Sequence, residues 1–206
     1  FLISSIPLSP GSYLKNSRAE YILQNMISII IPARSEKYLN RTILDIQAKA
    51  TSDIEIIVVL DGQDEKRLDG VKYVYHQKPI GMKYAINSGV KIATGEYLLK
   101  IDAHCIVSPR FDSILLRDHQ PNWIQIPRRY KLNEDKWEPN FNEFIDYEYW
   151  IWPKKFKPTS LHGFRWHERA RQRADKLIDD TPTFQGSFWF MTKAWWDKAE
   201  KNVKLN

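Results

Sequence analysis

Asp102 and His104 carry the densest chemistry in this sequence. One residue separates them, and they directly follow the apolar run Tyr97–Ile101. In an extended segment positions i and i+2 point to the same side, so a carboxylate oxygen and an imidazole nitrogen would converge on one cation. This mixed set suits Mn²⁺ or a similar borderline ion better than Ca²⁺, with Mg²⁺ as the alternative. Two protein ligands leave positions open for diphosphate oxygens, and the cation would neutralise charge developing on a departing nucleoside diphosphate. A polar surface turn carries the same pair, so the pattern needs support from elsewhere in the chain.

Other residues offer that support in different degrees. Asp61 ends an apolar run, where a carboxylate can accept the N–H of a base such as uracil; a turn-forming Asp before Gly62 is the plainer reading. Gly81-Met82-Lys83 opens a helical pattern after Pro79, so backbone N–H groups and Lys83 could face an anion, or simply start a helix. Gln185-Gly186-Ser187 precedes an aromatic run, and a glycine there would let a sugar approach the backbone, or make a bulge. His162, His167 and the Arg165–Arg173 stretch are candidates for a third metal ligand or a diphosphate clamp, against a solvated basic helix. Glu148 and Asp180 are candidate catalytic bases by their chemistry alone.

The elements that must position these groups read as alternating strands and helices. Ile27–Ile31 is a β-branched run stopped by Pro32, Ile54–Leu60 ends in Asp61-Gly62, and Lys72–His76 and Tyr97–Ile101 complete four expected strands. Helical spacing appears over Tyr38–Ala50 and Met82–Ala93. This alternation predicts an α/β fold with a mostly parallel sheet, whose ligands sit at the carboxyl ends of the strands. Arg34, Glu36, Asp61, Asp102 and His104 all fall there. Further on, the patterns predict strands at Trp123–Ile126, Ile145–Ile151 and Ser187–Thr192, and helices over Trp166–Ile178 and Lys193–Lys201. Residues 1–24, interrupted by Pro7, Pro10 and Gly11, read as an N-terminal extension to one domain over 25–206.

The totals set bounds. A hydrophobic fraction of 43% over 206 residues supports a packed core, and no apolar run is long enough for a membrane helix. Cys105 is the single cysteine, which excludes an internal disulfide and a thiolate zinc cluster and points to a reducing, cytoplasmic setting. The net charge of +6 fits attraction to a diphosphate or a solvated basic surface. It also permits a nucleic-acid reading, which predicts binding that falls steeply with salt; no known nucleic-acid motif is present, so no such partner is expected.

Taken together, these residues resemble family 2 glycosyltransferases of the GT-A (nucleotide-diphospho-sugar transferase) fold. Ile27–Glu36 is similar to that family's opening strand and loop, Asp53–Gly62 to its next strand and acidic end, and Gly81–Gly95 to the helix before its metal motif. Gly95–Cys105 then falls where the family carries its Asp-x-Asp. The Asp-x-His form followed by Cys resembles the polypeptide N-acetylgalactosaminyltransferase branch, as do Leu39–Thr42, Phe144–Trp152 and Thr181–Phe190. Leu60 and Gln63 depart from the family pattern, which has Asp and Ser there. The Trp-Gly-rich acidic motif or later His of relatives does not follow Lys193–Lys201, so the catalytic-base segment is expected to be missing from 25–206.

The resemblance implies a metal-dependent transferase of hexosyl or N-acetylhexosaminyl groups from a UDP-sugar to an acceptor of unknown kind. Asp102 and His104 would hold Mn²⁺ or Mg²⁺. Pro32, Ala33, Arg34, Glu36, Asp61, Lys83, Ala103, Gly186 and Ser187 would contact the donor. The alternative is a non-catalytic module that binds nucleotide-sugar or glycan.

Overall fold

Seven consecutive residues of the first strand, β1 (Ile27–Ala33), are buried, as befits a strand covered on both faces. A computed structural model of the chain describes residues 25–64, 66–151, 162–183 and 186–202; the expected extension over 1–24 lies outside them. β1 sits between β2 (Ile54–Asp61) and β4 (Tyr97–Ile101), with β3 (Val71–His76) beyond β2. The order is β3-β2-β1-β4-β9; the first four strands are mutually parallel, and β9 (Phe188–Thr192) runs antiparallel to β4. β1 does not stop at Pro32, as the sequence pattern predicts. It continues to Ala33 on the β2 side, while its pairing with β4 ends at Ile30, so the missing proline N–H disrupts little.

Side-chain alternation along β1 divides the core. Ile27, Ile29 and Ile31 pack with Leu39, Ile43 and Ile46 of α1 (Leu39–Lys49) and with Phe111 and Leu115 of α3 (Phe111–Arg117). Ile30 packs on the other face with Ile57, Leu98, Trp189 and Val90 of α2 (Met82–Ile92), and Trp195 and Trp196 of α5 (Lys193–Asn202) join them. α2 lies close to the sheet because Gly89 has no side chain: a Cβ there would stand 2.7 Å from Ile30 Cγ2 and 3.2 Å from Val59 Cγ2.

The N-terminal ends of the strands are tied by Glu55. Its carboxylate accepts from Ser28 Oγ at 2.5 Å, Lys72 Nζ at 2.5 Å, Thr94 N at 2.6 Å, Thr94 Oγ1 at 2.9 Å and Gly95 N at 3.2 Å. Burial pushes this carboxyl up, but the donors outweigh it and hold its pKa down at about 2.

The second half departs from the sequence patterns. Trp123–Ile126 forms no strand; it makes a single bridge, Gln125 to Phe190, with N···O distances of 2.8 and 3.0 Å. The alternation over Ile145–Ile151 belongs to two strands. β6 (Glu138–Ile145) pairs with β5 (Arg129–Asn133), and β7 (Glu148–Ile151) pairs with β8 (His162–Arg165). The corner between them is fixed by Asp146, which takes Arg128 in a two-pronged pair at 2.6 and 2.7 Å, and by the buried Tyr147, whose hydroxyl bonds Asp179. The helix expected over Trp166–Ile178 is only α4 (His167–Gln172). Leu177 and Ile178 are exposed, so further turns would have no apolar surface to cover, and Arg173 instead folds onto Asp179. α3 and the β5–β6 hairpin lack a clear sequence signal.

Candidate functional site

The C-terminal rim of the parallel sheet gathers most of the singled-out residues. β4 ends at Ile101, and Ala103-His104 is a turn rather than extended chain, so Asp102 and His104 reach the rim through different tethers. Asp102 is fixed from two sides. Its N–H donates to Ser187 O at 3.0 Å, and its Oδ1 pairs with Lys100 Nζ. The same ammonium donates to Gly186 O at 2.6 Å. Lys100 is 1% exposed, inside a strand whose other residues are apolar.

His104 is anchored by a carboxylate. Its Nδ1 lies 3.1 Å from Glu36 Oε2, and its side chain is half exposed. The backbone between the two side chains is clamped from α1. Buried Thr42 donates its hydroxyl to Ala103 O at 3.0 Å and accepts Cys105 N–H at 3.0 Å. One turn on, Asp45 accepts Val107 N–H at 2.9 Å, and Lys49 donates to Val107 O at 2.8 Å. Burial and the nearby Asp102 charge push the Cys105 thiol up to about 11, so it sits beside the turn as a neutral group.

Asp61, 4% exposed, faces the start of α2. Its two oxygens accept the N–H groups of Ile80 at 2.6 Å and Gly81 at 3.0 Å. The anion that the start of α2 holds is therefore this protein carboxylate. Gly62 follows with φ of +92° and donates to His76 O at 2.8 Å; a Cβ there would lie 2.5 Å from Pro79 Cγ. Gln63 Oε1 accepts the Ser35 hydroxyl and so joins the loops after β1 and β2. Pro32 and Ala33 are buried beneath that loop, and Arg34 is exposed on it.

Gly186 and Ser187 meet the rim from β9. A Cβ on Gly186 would find nothing within 4 Å among the described residues, so there is open space beside it. Ser187 Oγ accepts from Arg129 Nη1 at 3.1 Å, and Arg129 Nη2 pairs with Glu148 Oε1 at 3.4 Å. Glu148 is thereby brought within one side chain of Ser187. Asp180 is exposed after α4, and its carbonyl accepts from Arg169 at 3.3 Å. Lys83 is exposed, with its ammonium 6.0 Å from the Tyr84 ring. His167 opens α4 on the surface, His162 starts β8, and Gln185 lies outside the described residues.

Lys100, Thr42 and Arg129 are the rim residues that the site reading of the sequence missed. Lys100 did leave a signal, a charge inside an apolar strand. Arg129 left none, and Thr42 only its place in the Leu39–Thr42 resemblance, because their contacts depend on partners 58 and 61 residues away.

Glu36 takes His104 Nδ1 and Lys100 takes Asp102 Oδ1, so a cation held by this pair would use Nε2 of His104 and Oδ2 of Asp102. No group of three or more His, Cys, Asp or Glu residues stands ready for a metal among the described residues.

One family model and three relatives bear on this geometry. The family model described as glycosyl transferase family 2 matches residues 28–196. The chain is 31% identical over 111 residues to the uncharacterized glycosyltransferase EpsJ of Bacillus subtilis (strain 168), covering 49% of this chain and 32% of that protein. It is 35% identical over 94 residues to an uncharacterized glycosyltransferase of Nostoc sp., with 40% and 29% covered, and 29% identical over 102 residues to YibD of Escherichia coli (strain K12), with 45% and 30% covered. The chain thus spans about a third of the length of these curated relatives.

Proposed function

The chain belongs to glycosyl transferase family 2, and on that premise we propose that it moves a sugar from a UDP-linked donor to an acceptor, with Mn²⁺ or Mg²⁺ held by Asp102 and His104. Its parallel β3-β2-β1-β4 sheet, flanked by helices, is the α/β arrangement of the GT-A fold. Bound there, the cation would offset the charge that develops on the departing diphosphate.

The chain's own residues position the donor. Each Asp61 oxygen spends one acceptor site on a backbone N–H and keeps another for the N3–H of uracil. The loop through Pro32, Ala33, Arg34 and Glu36 flanks the nucleoside, and Lys83 approaches the ribose or phosphate. Ala103, its carbonyl held by Thr42, fixes the backbone under the diphosphate. Gly186 and Ser187 border the sugar. Glu148, linked to Ser187 through Arg129, is better placed than Asp180 to act as a base on an acceptor hydroxyl. The Asp-x-His-Cys form favours a hexosyl or N-acetylhexosaminyl group, by its resemblance to the polypeptide N-acetylgalactosaminyltransferase branch.

The observation that carries this reading is the meeting of two distant segments at one strand end. Asp102 N–H bonds Ser187 O, and Lys100 bonds Gly186 O across 86 residues of sequence. The proposed metal ligand and the segment that would border the sugar are therefore held against each other. Calorimetric titration with UDP, with and without Mn²⁺, tests it. UDP affinity indifferent to the metal, or absent with it, sinks the proposal. Metal-dependent UDP binding without donor hydrolysis or transfer would support a binding module in place of an enzyme.

A further inference from the structure

A lysine in the middle of a five-stranded sheet needs a reason. Leu98 and Ile101 show that β4 buries leucine and isoleucine without difficulty, and Leu98 lies on the same face as Lys100. Burying an ammonium is costly unless it is paired and hydrogen-bonded. Lys100 meets that condition with two oxygens, Oδ1 of Asp102 and the carbonyl of Gly186 at 2.6 Å. Both oxygens belong to the rim, so the cost is borne at the site and not in the core.

The pairing changes what the rim offers to a cation. Lys100 sets its ammonium against the Asp102 carboxylate from within the sheet. His104 faces Glu36 through Nδ1, and Arg129 is engaged with Glu148 and Ser187. A bare divalent ion therefore meets Asp102 against the opposition of Lys100. A metal–diphosphate complex carries net negative charge, and the same ammonium attracts it.

We propose that Lys100 is a positioning residue that makes this rim take the divalent ion together with the diphosphate, in preference to the ion by itself. The inference rests on the metal-and-UDP reading above and deepens it. The contact with Gly186 extends the effect, because the group that balances the diphosphate also holds the segment that borders the sugar. Removing the charge should therefore move two affinities in opposite directions, which a loss of local structure would not do.

The test uses the 206-residue chain, Lys100→Gln, Lys100→Met and Lys100→Arg, titrated calorimetrically with MnCl₂ alone and with UDP at saturating Mn²⁺. Lys100→Gln keeps hydrogen-bond donors without the charge. It is expected to bind Mn²⁺ alone about tenfold more tightly and UDP with Mn²⁺ about tenfold more weakly, within the usual range of coupling between sites. Lys100→Met should show the same crossing, and Lys100→Arg should stay near the unaltered chain. If unaltered protein binds Mn²⁺–UDP but both affinities of Lys100→Gln move the same way, or neither moves, this inference falls and the metal reading stands. If no form binds Mn²⁺ or Mn²⁺–UDP, the metal reading falls first and takes the inference with it. The unaltered chain gives a check that needs no variant: Mn²⁺ alone should bind at least about tenfold more weakly than the Mn²⁺–UDP pair, and equal affinities overturn the proposal.

Discussion

The two ends of the central sheet treat their carboxylates in opposite ways. At the N-terminal end Glu55 is saturated, with both oxygens taken by Ser28, Lys72, Thr94 and Gly95. At the C-terminal end Asp102 has Oδ1 on Lys100 and keeps Oδ2, and His104 is half exposed with one ring nitrogen on Glu36. Asp61 is intermediate, nearly buried but with acceptor sites to spare. The same chemical groups thus serve two purposes. A carboxylate whose partners all come from its own chain locks strands together. One whose partners leave acceptor sites open would, on the proposed reading, orient a ligand and add little to stability.

The largest expected effect separates the two ends. Glu55 has its pKa held at about 2, below the ordinary carboxylate value of about 4.3. A group depressed in the folded state stabilises above its unfolded pKa, and that contribution fades as pH falls toward the folded value. Glu55→Gln is therefore expected to cost about 2–3 kcal/mol at neutral pH, the share of half-exposed Lys72 being screened. The deficit should shrink between pH 4.5 and pH 2, where the unaltered protein loses the same stabilisation. Urea unfolding across that range checks it, and a deficit independent of pH would show that packing, not charge, holds this end. Where Glu55→Gln is folded, its Mn²⁺-dependent UDP affinity should be unchanged.

At the other end His104→Ala reverses the pattern. Loss of a proposed ligand should reduce Mn²⁺-dependent UDP affinity about a hundredfold, while an exposed substitution shifts stability by no more than about 0.5 kcal/mol. A variant that unfolds as readily as Glu55→Gln would erase the contrast between the ends. Thr42→Val falls between them. Its hydroxyl serves both Ala103 O and Cys105 N–H in a buried place, so its loss should cost about 1–3 kcal/mol and also weaken Mn²⁺–UDP binding by loosening the turn. Thermal melting with and without ligand separates the two components.

The division between legible and hidden parts of the molecule follows the same physics. β1, β2 and β4 could be read directly because strands buried on both faces are continuous apolar runs, and their ends placed Asp61, Asp102 and the loop at Glu36 correctly on one rim. The β5–β6 and β7–β8 hairpins could not. They are two-stranded sheets apart from the main one, and residues such as Phe141, Tyr149 and Phe164 stay exposed, so burial imposes little pattern on them. The turn at Ala103-His104 was read as extended chain because nothing local signals Thr42, which holds it from α1. Arg129 was hidden for the same reason, since its meaning comes from Ser187 and Glu148.

Glu36 offers the finest test of the contrast, because it is a carboxylate of the C-terminal rim that would act on the cation only through His104. Its Oε2 stands 3.1 Å from His104 Nδ1, where a carboxylate favours the ring proton, so a cation would take Nε2. Glu36→Gln keeps an oxygen that can accept from Nδ1–H but loses the charge that makes the imidazole a stronger ligand. Metal-dependent UDP affinity should fall about tenfold, as for other partners of metal-bound histidines. Stability should hardly move, because this side chain is partly exposed and ties no strand to another. Glu36→Leu, which cannot accept the proton at all, should fall further. If both variants bind Mn²⁺–UDP as the unaltered chain does, His104 is not oriented through Glu36, and the open valence at this end belongs to Asp102.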